Sequence, residues 1–291
     1  MKWPQHVRSQ VQLGNEATGM VEVKRECSFA FRFLFRYKLC MASLTSLHFS
    51  GWGWLAVIGG AMFIGMNMGG LTGLGVLPVL LFAVVFPARE STGFVLPLLI
   101  VGDLCAIGVY RRVVIWKVFW ALLPPALVGI AWGYSLMGRI AESEFGPLIG
   151  WIIIALIALQ FLRSTFGEKL DHIFESRVFG LVMGVLTGVT TMLANAAGPV
   201  ANLYFLSVGL PKWNLIGTSA WIFFVINLCK VPFSAHLGLT NGYSLTLAAA
   251  LAPLVLFGFF VGRRIVTVMP QKLFERFLLA CTAIGALKLI W

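Results

Sequence analysis

Few side chains in this chain are placed to do chemistry, and Asp103 is the first of them. It lies ten residues after Gly93, inside an otherwise apolar stretch. A carboxylate at membrane depth costs about 2.5 to 3.5 kcal/mol on insertion scales, so it must be protonated, paired or functional. The expectation is a proton-coupling or gating role. The plain alternative is pairing with Arg111 or Arg112, about 12–13 Å farther along a helix. Lys230 is the other charge inside an apolar stretch; it either attracts an anion by its field or snorkels to an interface. Asn227 either binds a substrate or links helices.

Hydrogen-bond donors cluster in two places. The run Asn195-Ala196-Ala197-Gly198-Pro199 suits the start of a short helix. Small residues allow close approach, and proline fits the first helical turn. Free N–H groups and the positive end of the helix dipole there favour an oxyanion. Thr190, Thr191 and Asn195 add side-chain donors, unless the hydroxyls bond back to their own helix. Gly70, Thr72, Gly73 and Gly75 form the counterpart nearer the start of the chain.

The elements that must position these residues follow from composition. Of 291 residues, 59% are hydrophobic and only 11% charged, against roughly half and a quarter in a soluble domain. That leaves too little polar surface for a globule in water, and lipid is the environment implied. The net charge of +11 does not point to nucleic acid, because the basic residues fall in short bursts between apolar runs, as loops beside membrane spans do. Five cysteines, Cys27, Cys40, Cys105, Cys229 and Cys281, have no zinc or disulfide spacing, and His6, His48, His172 and His236 are scattered. No metal, cofactor or nucleic-acid partner is expected, and no enzyme chemistry of a familiar kind.

A span needs about 20 apolar residues. Segments 92–110, 114–136, 147–166, 213–232, 243–262 and 273–290 qualify. Regions 52–86 and 178–209 are too long for one span, and clusters of small and polar residues, Gly65–Pro78 and Thr187–Pro199, interrupt them. Unwound backbone at membrane depth is tolerated only inside protein or along a watery cavity. Each region therefore reads as two short half-helices meeting at a cavity-lining break; close helix packing through the small residues is the alternative.

An offset of 124 residues lays Pro87 on Pro211, Gly93 on Gly217, Asp103 on Asn227 and Cys105 on Cys229. The paired cysteines read as inert small hydrophobes. Each half then runs as a broken hairpin followed by three spans. Basic residues 111–117, 163–177 and 263–276 occupy alternate loops, which the positive-inside rule assigns to the cytoplasm, and the two halves acquire opposite orientation. The expected division is a basic tail over 1–50, a first repeat over 51–170 and a second over 171–291. The tail has no signal-peptide order, and on this scheme it falls outside, against the rule; either translation starts at Met41, or one broken region crosses once and the symmetry fails.

The stretches "GFVLPLLIVGDLCAIGVYRR" (93–112) and "GVLTGVTTMLANAAGPVANLYFLSVGLPKWNLIGTSAWIFFVINLCKVPF" (184–233), with the paired glycine-rich breaks, resemble the sulfite exporter TauE/SafE family over roughly residues 52–291. The first break departs from the family's run of consecutive glycines, thinned here to Gly69, Gly70, Gly73 and Gly75. The resemblance implies membrane transport of sulfite, sulfoacetate or related organosulfonates, commonly outward.

The expected molecule is an all-α protein of the bacterial inner membrane, with about eight membrane helices including broken ones, arranged as two inverted repeats. A small anion would sit between the breaks, in contact with Thr190, Thr191, Asn195, Ala196, Gly198, Gly70, Thr72, Gly73, Asn227 and Lys230, and alternating access would rock one half against the other. The bilayer and the anion are the expected partners, and a homodimer is allowed. A passive anion channel and an intramembrane enzyme or assembly factor are the other readings; Asp103 as the sole embedded acid, without a histidine, counts against catalysis.

Overall fold

A computed structural model describes residues 51–139, 176–240 and 242–274 apart from residue 84, with a few isolated positions elsewhere. The basic tail, and most of expected spans 147–166 and 273–290, lie outside the described residues. Among the described residues all regular structure is helical: α1 Gly51–Met68, a 3-10 turn Thr72–Gly75, α2 Val76–Ala83, α3 Ala88–Tyr110, α4 Trp116–Met137, α5 Arg177–Ala194, α6 Ala197–Ser207, α7 Lys212–His236 and α8 Gly242–Val268. Six of them are long and apolar enough to cross a membrane. Their outward faces carry large apolar side chains, among them Trp52, Trp120, Val128, Trp132, Leu228, Phe257 and Phe260. That is a surface for lipid, and the protein is a multi-pass membrane protein.

The two interrupted regions differ from expectation in one respect. Each is a helix of 18 residues, about 27 Å and nearly a full span, followed by a short one. The short members have 8 and 11 residues, or about 12 and 16 Å. The small residues before each break do not stop the helix, because they serve packing there. Gly65 and Gly69 lie against the backbone of α8 at Val255 and Phe259, and Gly184 and Gly188 lie against α4 at Pro125 and Ala126.

The facing helices answer in kind. Gly129 and Gly133 of α4 meet Val185, Val189 and Met192 of α5, while Gly258 and Gly262 of α8 meet Met62 and Met66 of α1. Every one of these glycines belongs to a Gly-x-x-x-Gly pair, the spacing that lets helix backbones touch where lipid gives no hydrophobic drive to associate. The contact pattern is reciprocal: α4 packs on α5 and α8 on α1, α3 packs on α8 and α7 on α4, and α3 packs on α7.

Candidate functional site

The second break is made by one residue. Asn195 ends α5 with φ 52, in the left-handed region, which asparagine enters more readily than most residues other than glycine. Its Nδ2 donates to the carbonyl of Thr92 at 2.9 Å, tying the break to the start of α3. Helix α6 then begins at Ala197 without a side-chain cap. Its first-turn N–H groups therefore remain for a ligand or water, and Pro199 has none to satisfy.

The first break turns at Gly70, φ 122, a conformation natural to glycine. Tyr110 donates from its hydroxyl to the Gly69 carbonyl at 2.7 Å, satisfying the end of α1. The two breaks abut: Asn202 of α6 donates from Nδ2 to the Thr72 carbonyl at 2.9 Å, and a side chain begun at Gly198 would lie 3.6 Å from that same oxygen.

Lys230 is buried, 3% exposed, and does not snorkel. Its Nζ donates to the Thr191 carbonyl at 2.7 Å and the Thr191 hydroxyl at 3.2 Å, and also to Asn195 Oδ1. The ammonium thus sits on the negative end of the α5 dipole. Asp103 is fully buried and does not pair with Arg111 or Arg112, both exposed at the helix end. Its Oδ2 accepts from Asn227 Nδ2 at 2.8 Å. Asn227 and Lys230 stand three residues apart on α7, hence on one face, so the carboxyl and the ammonium flank the same site.

Between the breaks lies a cavity of about 30 Å³, lined by Asn67, Gly75, Thr191, Asn195, Ala197, Gly198 and Asn227, with Leu99 and Phe223. It holds about two waters, and a larger anion needs it to widen. A chamber of about 10 Å³ beside it is lined by Asn67, Thr72 and Ser219. Five buried polar atoms have no partner among the described residues: Trp221 Nε1 on α7, and four near the breaks, Asn67 Oδ1, Thr72 Oγ1, Asp103 Oδ1 and Asn202 Oδ1. Buried polar atoms are ordinarily satisfied, so the gathering of these four oxygens marks the place where a polar guest belongs.

Of the residues singled out from sequence, Gly75, Thr191, Asn195, Ala197, Gly198 and Asn227 line the cavity. Lys230 reaches it through Thr191 and Asn195, and Thr72 faces the smaller chamber. Thr190 bonds back to its own helix, to Leu186 at 2.8 Å and Thr187 at 3.3 Å. Ala196 is wholly buried and donates to the Thr190 carbonyl at 3.3 Å. Gly70 faces Ile216 and Val266, and Gly73 is buried in the 3-10 turn; neither lines the cavity.

Sequence reasoning passed over Asn67, Thr92, Tyr110 and Asn202. The internal offset carried a signal for the first: Asn67 lies 124 residues before Thr191, as Leu99 does before Phe223 and Asp103 before Asn227. Two pairs of cavity-lining residues, Asn67 with Thr191 and Leu99 with Phe223, share that spacing.

Comparison with known proteins fits this arrangement. The family model described as "Sulfite exporter TauE/SafE" matches residues 54–289, and the chain belongs to that family, one of membrane transporters. No curated protein and no solved structure matches.

Proposed function

As a member of the sulfite exporter TauE/SafE family, the chain is, we propose, a secondary transporter that exports a small sulfur-containing oxyanion, sulfite or an organosulfonate, across a bacterial inner membrane. The observation that carries this reading is the meeting of the two breaks around one buried polar cavity. The uncapped start of α6 supplies backbone N–H groups for oxyanion oxygens. Thr191 and Asn67 also line the cavity, and Lys230 supplies the positive field from behind Thr191 and Asn195.

Inverted repeats are the architecture we infer for the two halves. Reciprocal packing of α1 with α8 and α5 with α4 supports it. So does the Asp103–Asn227 bond between positions 124 residues apart, which an internal two-fold axis brings together. In such folds the substrate lies near the midplane, and rocking of the halves exposes it to each side in turn. The cavity volume of about 30 Å³ corresponds to a closed form that must widen to load.

Charge balance gives Asp103 its role. Lys230 and an ionised Asp103 cancel, and an arriving anion leaves one negative charge in a medium of low dielectric. A proton on Asp103 restores neutrality, so anion and proton move together. The test is flux of radiolabelled sulfite and of a small organosulfonate in proteoliposomes, with and without a pH gradient. Saturable flux that responds to the gradient is expected. Flux that does not saturate would point to a passive pore, and no flux of either anion would remove the substrate assignment.

A further inference from the structure

The oxygens around Lys230 have a chemistry of their own. The ammonium is held by a backbone carbonyl, a hydroxyl and a side-chain amide oxygen: Thr191 O at 2.7 Å, Thr191 Oγ1 at 3.2 Å, and Asn195 Oδ1. All three are neutral, and they gather at the last turn of α5, where the dipole is negative; the Thr191 carbonyl uses its second lone pair on the Asn195 N–H at 3.0 Å. A neutral oxygen set at a helix C-terminus suits a cation of charge one, whereas divalent calcium recruits carboxylates. In transporters with discontinuous helices, such unwound carbonyls and half-helix ends are where coupling cations are coordinated.

We infer that the end of α5 is a monovalent-cation site whose resident cation is the chain's own Lys230 ammonium, and that shortening this side chain opens the site to sodium or lithium.

Two features show that the cage does not depend on the lysine for its shape. Asn195 is fixed from the other side by its Nδ2 bond to the Thr92 carbonyl, which aims Oδ1 back toward α7. The Thr191 carbonyl is held by the helix, where it accepts the Asn195 N–H at 3.0 Å. Removing the butylamine stem takes the donor from Thr191 Oγ1 and Asn195 Oδ1 and leaves the Thr191 carbonyl with the Asn195 N–H alone, a state costly enough that a cation or water must enter. Asp103 is one helical turn away through Asn227; it supplies opposite charge to whichever cation occupies the cage and ligates neither. The inference goes beyond the anion reading and stands on the geometry at α5, whatever the transported substrate.

The experiment is thermal unfolding of purified full-length protein in detergent, in sodium, lithium, potassium or choline chloride at equal ionic strength. Wild type should unfold at one midpoint in all four salts. Lys230→Ala should unfold earlier in choline and gain about 3 to 5 °C at ten times the sodium dissociation constant, with a saturable dose dependence. Lys230→Ser, whose hydroxyl stops well short of the place of the ammonium and reaches it only through a water, should show the same sodium response. A sodium response in wild type would overturn the proposal, since the cage would then not be filled by the ammonium. Equal midpoints for both variants in all four salts would also overturn it. So would failure of both variants to fold in sodium, where the cation should rescue them. Because no transport is measured, these outcomes are distinct from failure of the anion assignment.

Discussion

Replacing Asp103 by Asn keeps the shape of the carboxyl and fixes the site in its uncharged form. Asn227 can still hydrogen-bond residue 103 after rotation of one amide, so helices α3 and α7 stay joined where the 2.8 Å bond joins them now. The electrostatics change instead. An anion touching the cavity face of Asn227 stands one amide width from the Asp103 carboxylate, about 6 Å; with an effective dielectric constant of about 20, repulsion there is about 3 kcal/mol. That is roughly a hundredfold in anion affinity. Wild type should therefore bind an organosulfonate more weakly as pH rises through the titration of Asp103, because the anion prefers the protonated site. A sulfonate is the right probe, since its own charge is constant over that range. Asp103→Asn should bind it with a flat pH profile, at the affinity that wild type reaches in acid. In proteoliposomes the variant should exchange labelled for unlabelled anion across the membrane yet fail to accumulate it under a pH gradient. Accumulation equal to wild type would refute the coupling role. Loss of exchange in a variant with a wild-type unfolding midpoint would refute the charge argument, because the carboxyl would then be needed for passage itself.

Three further outcomes follow from the packing and the breaks. Gly129→Leu and Gly258→Leu should each lower the unfolding midpoint in detergent, since new side chains there run into the backbone at Val185 and Met62; overpacking costs about 1 to 3 kcal/mol, and Ala at exposed Gly108, which meets nothing, is the neutral control. At Asn195, Gly keeps the left-handed backbone while Ala adds strain of about 1 to 2 kcal/mol; both lose the bonds to Thr92 and Lys230, so Asn195→Ala should unfold earlier than Asn195→Gly in a thermal scan. Thr190→Val and Thr191→Val should part company in a sulfonate-binding titration: Thr190 spends its hydroxyl on its own helix, so its variant stays within twofold of wild type, while Thr191→Val removes a cavity donor and a Lys230 partner, weakening affinity about tenfold, as the loss of one hydrogen bond to a charged group predicts.

The membrane class and the position of the spans were legible in the sequence because both rest on one-dimensional quantities. Run length and composition place α3, α4, α7 and α8 within a few residues of the expected segments, apart from the ends of α7 and α8, which continue past 232 and 262. The breaks were legible as clusters of small residues, but not their edges. Composition does not say whether a glycine unwinds a helix or lets another helix approach. Gly65 and Gly188 do the second, and only Gly70 and Asn195 take up the turn. The site was legible where a residue had to be embedded at cost, as with Asp103 and Lys230. Their partners were not, since Asn227 and Thr191 are reached across helices and no local spacing reports such contacts.

On the inferred repeat architecture, the offset that pairs the halves also shows where they part. Position 103 carries the acid and its equivalent an amide; position 230 carries the base, and its equivalent, Ala106, no charge. An exact duplicate would set two carboxyls against each other on the axis and two ammoniums around one cavity of about 30 Å³, with like charges repelling by several kcal/mol at low dielectric. Breaking the symmetry in composition while keeping it in packing leaves one acid and one base in a site of net charge zero. The glycine crossings of α1 with α8 and of α4 with α5 fix the frame. On the proposed proton-coupled reading, the asymmetry between Asp103 and Asn227 then lets a single proton accompany a single anion, whichever side the cavity faces.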